Sequence, residues 1–179
     1  EAEFKKITNS QYAIGVGSGT DALFLSLKAL GIKEGDEVIT TPYTFYATIG
    51  AIVTAGATPR FVDIGPDYNI NPSLIEEAIT SKTKAIVPVH WSGLICDMDS
   101  IKEIADRHNL FIVEDACHAI NAMRDGKNAG AIGDTACFSM HPLKNLNVWG
   151  DAGVIVTNSK ELHDKLVLLR NHGLRDRDV

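Results

Sequence analysis

Three stretches of the chain carry residue types suited to holding and transforming a small molecule. The first is "AIGVGSGTDALFLSLKALG", Ala13 to Gly31, where an apolar run meets Gly15, Gly17 and Gly19 and turns into a helical pattern. A G-x-G-x-x-G dinucleotide fingerprint is excluded, because the glycines stand two apart and position 20 is Thr. A Gly-Lys-Ser/Thr nucleotide loop is absent too. What remains is Ser18-Gly19-Thr20 at a helix start. The N–H groups of Gly19, Thr20 and Asp21 precede the first helical hydrogen bonds, Gly19 lets backbone approach a ligand closely, and Thr20 adds a hydroxyl. That is a cradle for a phosphate. The same residues read equally well as an ordinary helix start capped by Ser18 or Thr20.

The second stretch, "FIVEDACHA", places Glu114 and Asp115 on opposite faces where an apolar strand gives out. A carboxylate there can bind a metal, act as a base or pair with a cationic ring nitrogen. Metal binding asks for more ligands than the nearby His118 supplies. A helix-capping acid at a strand–helix junction is the plainer reading. The third stretch is "CFSMHPLKNLNVWGDAG", where a strand ends near Ser139 and Pro142 breaks regular pairing. Lys144 stands between Leu143 and Leu146 rather than among charges. Desolvation lowers the pKa of such a lysine and frees its amine to form a Schiff base. A solvated loop lysine is the ordinary alternative.

The elements that position these stretches follow from periodicity and capping. Helical spacing covers 20–30, 44–56, 71–79, 97–109 and 159–173, with Asn71 and Pro72 as a start signal and Gly31 and Gly56 as stops. Short apolar strands are predicted at 37–41, 59–64, 84–90, 110–116, 134–140 and 153–158. Alternation of this kind predicts an α/β fold, a three-layer α/β/α arrangement on a mostly parallel mixed sheet. In such sheets ligands lie at the carboxyl ends of strands, where all three stretches fall.

Composition narrows the class. The 179 residues suffice for one domain with a sizeable core, and a net charge of −6 argues against nucleic acid or an anionic membrane as partner. No apolar run reaches membrane-spanning length, and no segment reads as a signal peptide. Cys96, Cys117 and Cys137 have no metal-type spacing and read as reduced thiols of a cytoplasmic protein. No metal site is expected.

A phosphate loop, an aromatic residue, a strand-end acid and a loop lysine together match the needs of pyridoxal 5'-phosphate (PLP). The chain resembles the sugar aminotransferases of the DegT/StrS kind, within the fold-type-I PLP enzymes. The resemblance rests on "GVGSGTDAL", "GDEVITTPYTFYAT", "FIVEDACHA", "GAIGDTACFS", "HPLKNL" and "GDAGVIVTN", in family order along essentially the whole chain. It implies that Lys144 is the Schiff-base lysine and that Asp115 pairs with the pyridine nitrogen. It implies that Gly19, Thr20, Asp21 and Ser139 serve the phosphate, that Phe45 stacks on the ring, and that His118 lies close to the ring and its phenolic oxygen. It further implies transfer of an amino group from a donor, commonly glutamate, to a keto-sugar, usually nucleotide-linked, in a homodimer.

Several positions depart from the usual family pattern. "HWSG" stands for His-Leu-Tyr-Gly, "MHPLK" puts His141 and Leu143 beside the lysine, and "GDAG" replaces a double Gly. These bear on substrate identity. The alternatives are a PLP-dependent sugar dehydratase or lyase, whose relatives carry His in place of the lysine, and a non-catalytic relative or inactive fragment of the same fold; Lys144 argues against both, since a mere binder needs no Schiff-base lysine. Family members are about twice this length, so 1–179 is expected to be the PLP-binding large domain without a C-terminal small domain.

Overall fold

In the computed structural model, which describes residues 1–174, the alternating apolar runs assemble into one sheet. The remaining residues, 175–179, belong to the expected domain span and lie outside the described residues. The strands are β1 (Tyr12–Val16), β2 (Glu37–Thr40), β3 (Thr58–Phe61), β4 (Thr83–Ile86), β5 (Phe111–Asp115), β6 (Met123–Arg124), β7 (Lys127–Asn128), β8 (Thr135–Ser139) and β9 (Gly153–Thr157). Seven of them form a sheet of order β1-β9-β8-β5-β4-β2-β3, and β6 and β7 pair as a small hairpin. Within the large sheet, β9 is antiparallel to both its neighbours and the other pairings are parallel. The mostly parallel, mixed sheet expected from the sequence is thus present. Pro59 is accommodated because β3 is an edge strand.

The helices are α1 (Ala2–Thr8), α2 (Gly19–Ala29), α3 (Tyr46–Thr54), α4 (Ile75–Ala78), α5 (Met98–His108) and α6 (Lys160–Arg170). Successive strand residues point to opposite faces, and each face finds its own core. Ile39, Ile86, Ile112, Ala136 and Val154 pack with Phe4, Ile75 and Ile101 on one side. Their neighbours Val38, Ala85, Val113, Cys137 and Ile155 pack with Leu23, Leu27, Ile52 and Leu166 on the other. Helices α1, α4 and α5 therefore cover one face and α2, α3 and α6 the other, giving three layers. Among the described residues no helix is long and apolar enough to cross a membrane.

Three expected helices are cut back or divided relative to their patterns, the 159–173 segment forming α6 only over Lys160–Arg170. The 71–79 segment divides into a 3-10 turn, Pro72–Leu74, and the four-residue α4, with the Asn71 side chain accepting from Ser73 N at 3.1 Å. Helix α3 begins at Tyr46 because Phe45 is still extended, at φ −69° and ψ 142°.

The end of β5 is fixed from the side facing away from the cavity described below. Glu114 is fully buried and accepts four hydrogen bonds. Ile132 N and Gly133 N donate to one oxygen at 3.0 and 2.6 Å, and Gly130 N and His90 Nε2 to the other at 2.8 and 2.9 Å. His90 Nδ1 accepts from Cys96 N at 3.3 Å, which leaves Nε2 as the donor to the carboxylate. Burial opposes the charged form of Glu114, but the His90 bond and the Gly133 and Gly130 N–H groups prevail and hold its pKa below the usual range. With a lowered folded pKa, the contribution to stability is present above the unfolded value of about 4.3 and is lost as pH falls through the folded one.

Every neighbour of this carboxylate donates, so an amide at 114 must face a donor with a donor. Glu114→Gln is expected to destabilise the fold by about 3 kcal/mol at pH 7. The difference from wild type should shrink as the pH is taken below about 4. Urea unfolding at several pH values checks both.

Candidate active site

The carboxyl ends of β4, β5 and β8 and the start of α2 surround a cavity of about 490 Å³. Gly19, Thr20, Phe45, Asp115, His118, Ser139 and Lys144 all line it. Asp21 does not. Its backbone N–H is taken by Ser18 Oγ at 2.9 Å, so Ser18 caps α2. The next N–H, of Ala22, goes to Ser18 O at 3.0 Å. Those of Gly19 and Thr20 have no acceptor among the described residues, which leaves two helix N-terminal donors at the cavity. The helix start is therefore both a capped one and an open anion cradle.

The cradle sits where it does because backbone packs on backbone. A Cβ on Gly19 would lie 2.6 Å from Ser139 Cβ and 3.1 Å from Cys117 Sγ. A Cβ on Gly153, at the start of β9, would lie 2.2 Å from Ser18 O. Two glycines thus let the α2 N-terminus settle onto the ends of β8 and β9 and bring it beside the Ser139 side chain.

On the other side of the cavity, Asp115 is buried at 5% exposure. One of its oxygens accepts from Thr48 Oγ1 at 2.7 Å and the other from Cys117 N at 3.2 Å. Since Thr48 spends its proton on Asp115, Thr44 donates in turn to Thr48, at 2.7 Å. Thr44 and Thr48 were not among the residues expected from the sequence. Thr48 lies in the first turn of α3, and Thr44 precedes the extended Phe45, so the pair meets across the helix start rather than along a helix face. Phe45, between them in sequence, is half exposed at the cavity mouth.

Lys144 lies in an irregular turn closed by its own N–H to His141 O at 2.8 Å, with Leu143 N donating to His141 Nδ1 at 3.2 Å. Its Nζ stands 5.9 Å from the Phe45 ring centroid and has no acidic partner among the described residues. The His118 pKa is drawn below its ordinary value, by burial first and then by the Lys144 charge, with Asp115 opposing. Burial and the adjacent Asp115 push the Cys117 thiol well above its usual range, so Cys117 is an unreactive part of the wall. Among the described residues no cluster of His, Cys, Asp and Glu is suited to a metal ion.

A mixed seven-stranded sheet with helices on both faces is the fold of the PLP-dependent aminotransferases. The chain belongs to the DegT/DnrJ/EryC1/StrS aminotransferase family, whose model matches residues 1–179. It is 48% identical over 174 residues to a pleiotropic regulatory protein of Geobacillus stearothermophilus, covering 97% of this chain and 47% of that protein. It is also 48% identical to the UDP-N-acetyl-3-dehydro-α-D-glucosamine 3-aminotransferase of Acidithiobacillus ferrooxidans, again over 97% and 47%.

Among solved structures, Streptomyces venezuelae DesV in complex with a ketimine intermediate matches with a TM-score of 0.97 at 46% identity, over 100% of this chain and 48% of that one. Bacillus subtilis NtdA with bound cofactor PMP matches with a TM-score of 0.87 at 41% identity, over 93% and 39%. The chain spans about half the length of the curated relatives it matches.

The cramped contact at Gly153 makes a direct test of how the cradle is held. Gly153→Ala is expected to destabilise the fold by about 2 kcal/mol. Asp151→Ala, at an exposed position nearby, should stay within about 0.5 kcal/mol of wild type. Urea denaturation of the two variants in parallel reads the contrast.

Proposed function

We propose that residues 1–179 form the cofactor-binding large domain of a PLP-dependent aminotransferase acting on a keto-sugar, and that the sugar is nucleotide-linked. The observation that carries this reading is the convergence of the α2 N-terminus, Asp115 and Lys144 on one cavity. The cavity fits the cofactor part by part. Two free N–H groups and the hydroxyls of Thr20 and Ser139 suit a phosphate. Gly19 and Gly153 let the α2 N-terminus pack onto the ends of β8 and β9, which aims the two N–H groups at the cavity. The Asp115 carboxylate, held by Thr48 and Cys117 N, suits a protonated ring nitrogen. Phe45 suits the face of an aromatic ring.

When bound, PLP supplies an aldehyde that condenses with amines and a ring that draws electrons from the substrate carbon. The protein's part is binding, orientation and proton movement. The α2 N-terminus with Ser139 anchors the phosphate, Asp115 keeps a proton on the ring nitrogen, and Phe45 shields the ring from water. Lys144 Nζ provides the amine that links the cofactor to the chain. When not engaged in that link, the Lys144 amine would serve as general base and then general acid, taking the proton from the donor's α-carbon and passing it on to the cofactor side. Glutamate is the proposed donor and 2-oxoglutarate its product. For the keto-sugar, Lys144 would move the proton in the opposite direction.

In the full-length protein we assign the remainder of the site to a C-terminal small domain and to the second subunit of a homodimer. The half-length match to the family supports a larger whole. The three unpaired cysteines support a cytoplasmic location.

Borohydride treatment of the PLP-loaded full-length protein is expected to fix a pyridoxyl group on Lys144, read by peptide mass spectrometry, and glutamate is expected to release 2-oxoglutarate. Lys144→Ala should lose the label and slow turnover by about 10³-fold. A label on another lysine, or turnover undiminished in Lys144→Ala, overturns the assignment.

A further inference from the structure

The His118 imidazole makes no hydrogen bond or ion pair among the described residues, although it lines the cavity beside Lys144 and Asp115. No polar partner fixes its ring, so packing must. The ring packed against it is Trp91, with centroids 5.4 Å apart and planes at 63°. Trp91 does not line the cavity itself. We propose that Trp91 is a positioning residue that sets the orientation of the His118 imidazole toward the cavity, and that it acts on the reaction only through His118. The proposal rests on the aminotransferase reading for its consequence in catalysis, but not for the contact.

Trp91 is itself held from several sides. Its backbone N–H donates to Asn69 Oδ1 at 3.0 Å and to Val89 O at 2.9 Å. Asn69 is buried at 1% exposure and spends its amide on Leu94 O at 3.1 Å, which ties down the far end of the same turn. Tyr43 backs the indole at 4.7 Å, and Tyr68 backs Tyr43 at 5.8 Å. Gly93, at φ 88°, brings the turn against the backbone of residue 118, and a Cβ there would stand 3.1 Å from His118 O. The turn thus grips both the backbone and the ring of His118. Lys144 and Asp115 act on that ring, one disfavouring and one favouring its protonation, and Asp151, His141 and Tyr46 also line the cavity. Which of the two prevails depends on where the ring is held.

The test follows the His118 ring directly by NMR of the histidine-labelled full-length protein, with and without PLP, its signal assigned by loss in His118→Asn. In Trp91→Ala the His118 titration is expected to move up toward that of an ordinary histidine, as water enters and the ring leaves its place. Trp91→Phe should restore the wild-type titration. Where Trp91→Ala does not fold by circular dichroism, Trp91→Leu takes its place. In the loaded enzyme, the ring-deleting variant should lower kcat by about tenfold in the His118 background and have no further effect in His118→Asn. An unmoved His118 titration overturns the contact's role. A kcat loss that is equal in both backgrounds overturns action through His118. The cofactor-free titration reads the contact whether or not PLP is the ligand, so failure of the aminotransferase reading is seen separately, in the borohydride label.

Discussion

The cavity depends on a single strand end whose two acids face opposite ways. Glu114 and Asp115 are adjacent on β5, and the alternation of the strand sends one to each face of the sheet. Glu114 is surrounded by four donors and has no remaining duty. It ties the 130–133 loop and the His90 turn to β5, and His90 N in turn donates to Asp115 O at 3.0 Å. A buried charge is tolerated in a protein interior only when its bonds are complete. Its completeness here holds the neighbouring backbone still, and that backbone carries the acid that faces the cavity.

The opposite wall obeys a different constraint, one of space. Hydrogen bonds orient Asp115, whereas bare backbone contact places the α2 N-terminus, through two positions that admit no side chain. A phosphate cradle made of N–H groups is only as well aimed as the helix that carries them. Packing that helix start onto two strand ends removes its freedom to tilt. Polar saturation on one side and close packing on the other fix the distance between the two ends of whatever the cavity holds.

Much of this was legible in the residues. The paired faces of β2, β4, β5, β8 and β9 are visible as apolar runs because both faces are covered, and the Ser18 and Asn71 caps were marked by residue type. The stretch containing Ser139 and Lys144 stood out because a strand end, a proline and a lone lysine met there. Other features were hidden for physical reasons. Helix α1 buries little more than Phe4 and Thr8, too few residues to show a period. The β6–β7 hairpin is only two residues deep on each side, yet its Asp125-Gly126 turn, with φ of 52° and 76°, is the dipeptide such turns favour. The direction of β9 left no trace, because an apolar strand buried on both faces looks the same either way round. The Asp21 N–H was expected to face a ligand, but the cap at Ser18 had first claim on it.

The reversed direction of β9 decides what kind of loop carries the lysine. Parallel neighbours must be joined by a long crossover that returns the chain to the other end of the sheet. Antiparallel neighbours allow the chain to turn back where it emerged. Ser139 pairs with Gly153, Met140 N bonds to Ala152 O at 2.8 Å, and everything between them is one excursion leaving and re-entering at the same edge of the cavity. The amine therefore belongs to a sequence-local unit, closed by contacts near in the chain, whereas the acid opposite reaches its place through pairings across distant segments. A lysine borne on such a tethered bight can accept substitutions along its outer arc, at the fully exposed Trp149, while its anchoring points, among them the Asn147 amide that donates to Lys144 O at 3.2 Å, keep the amine within reach of the cavity.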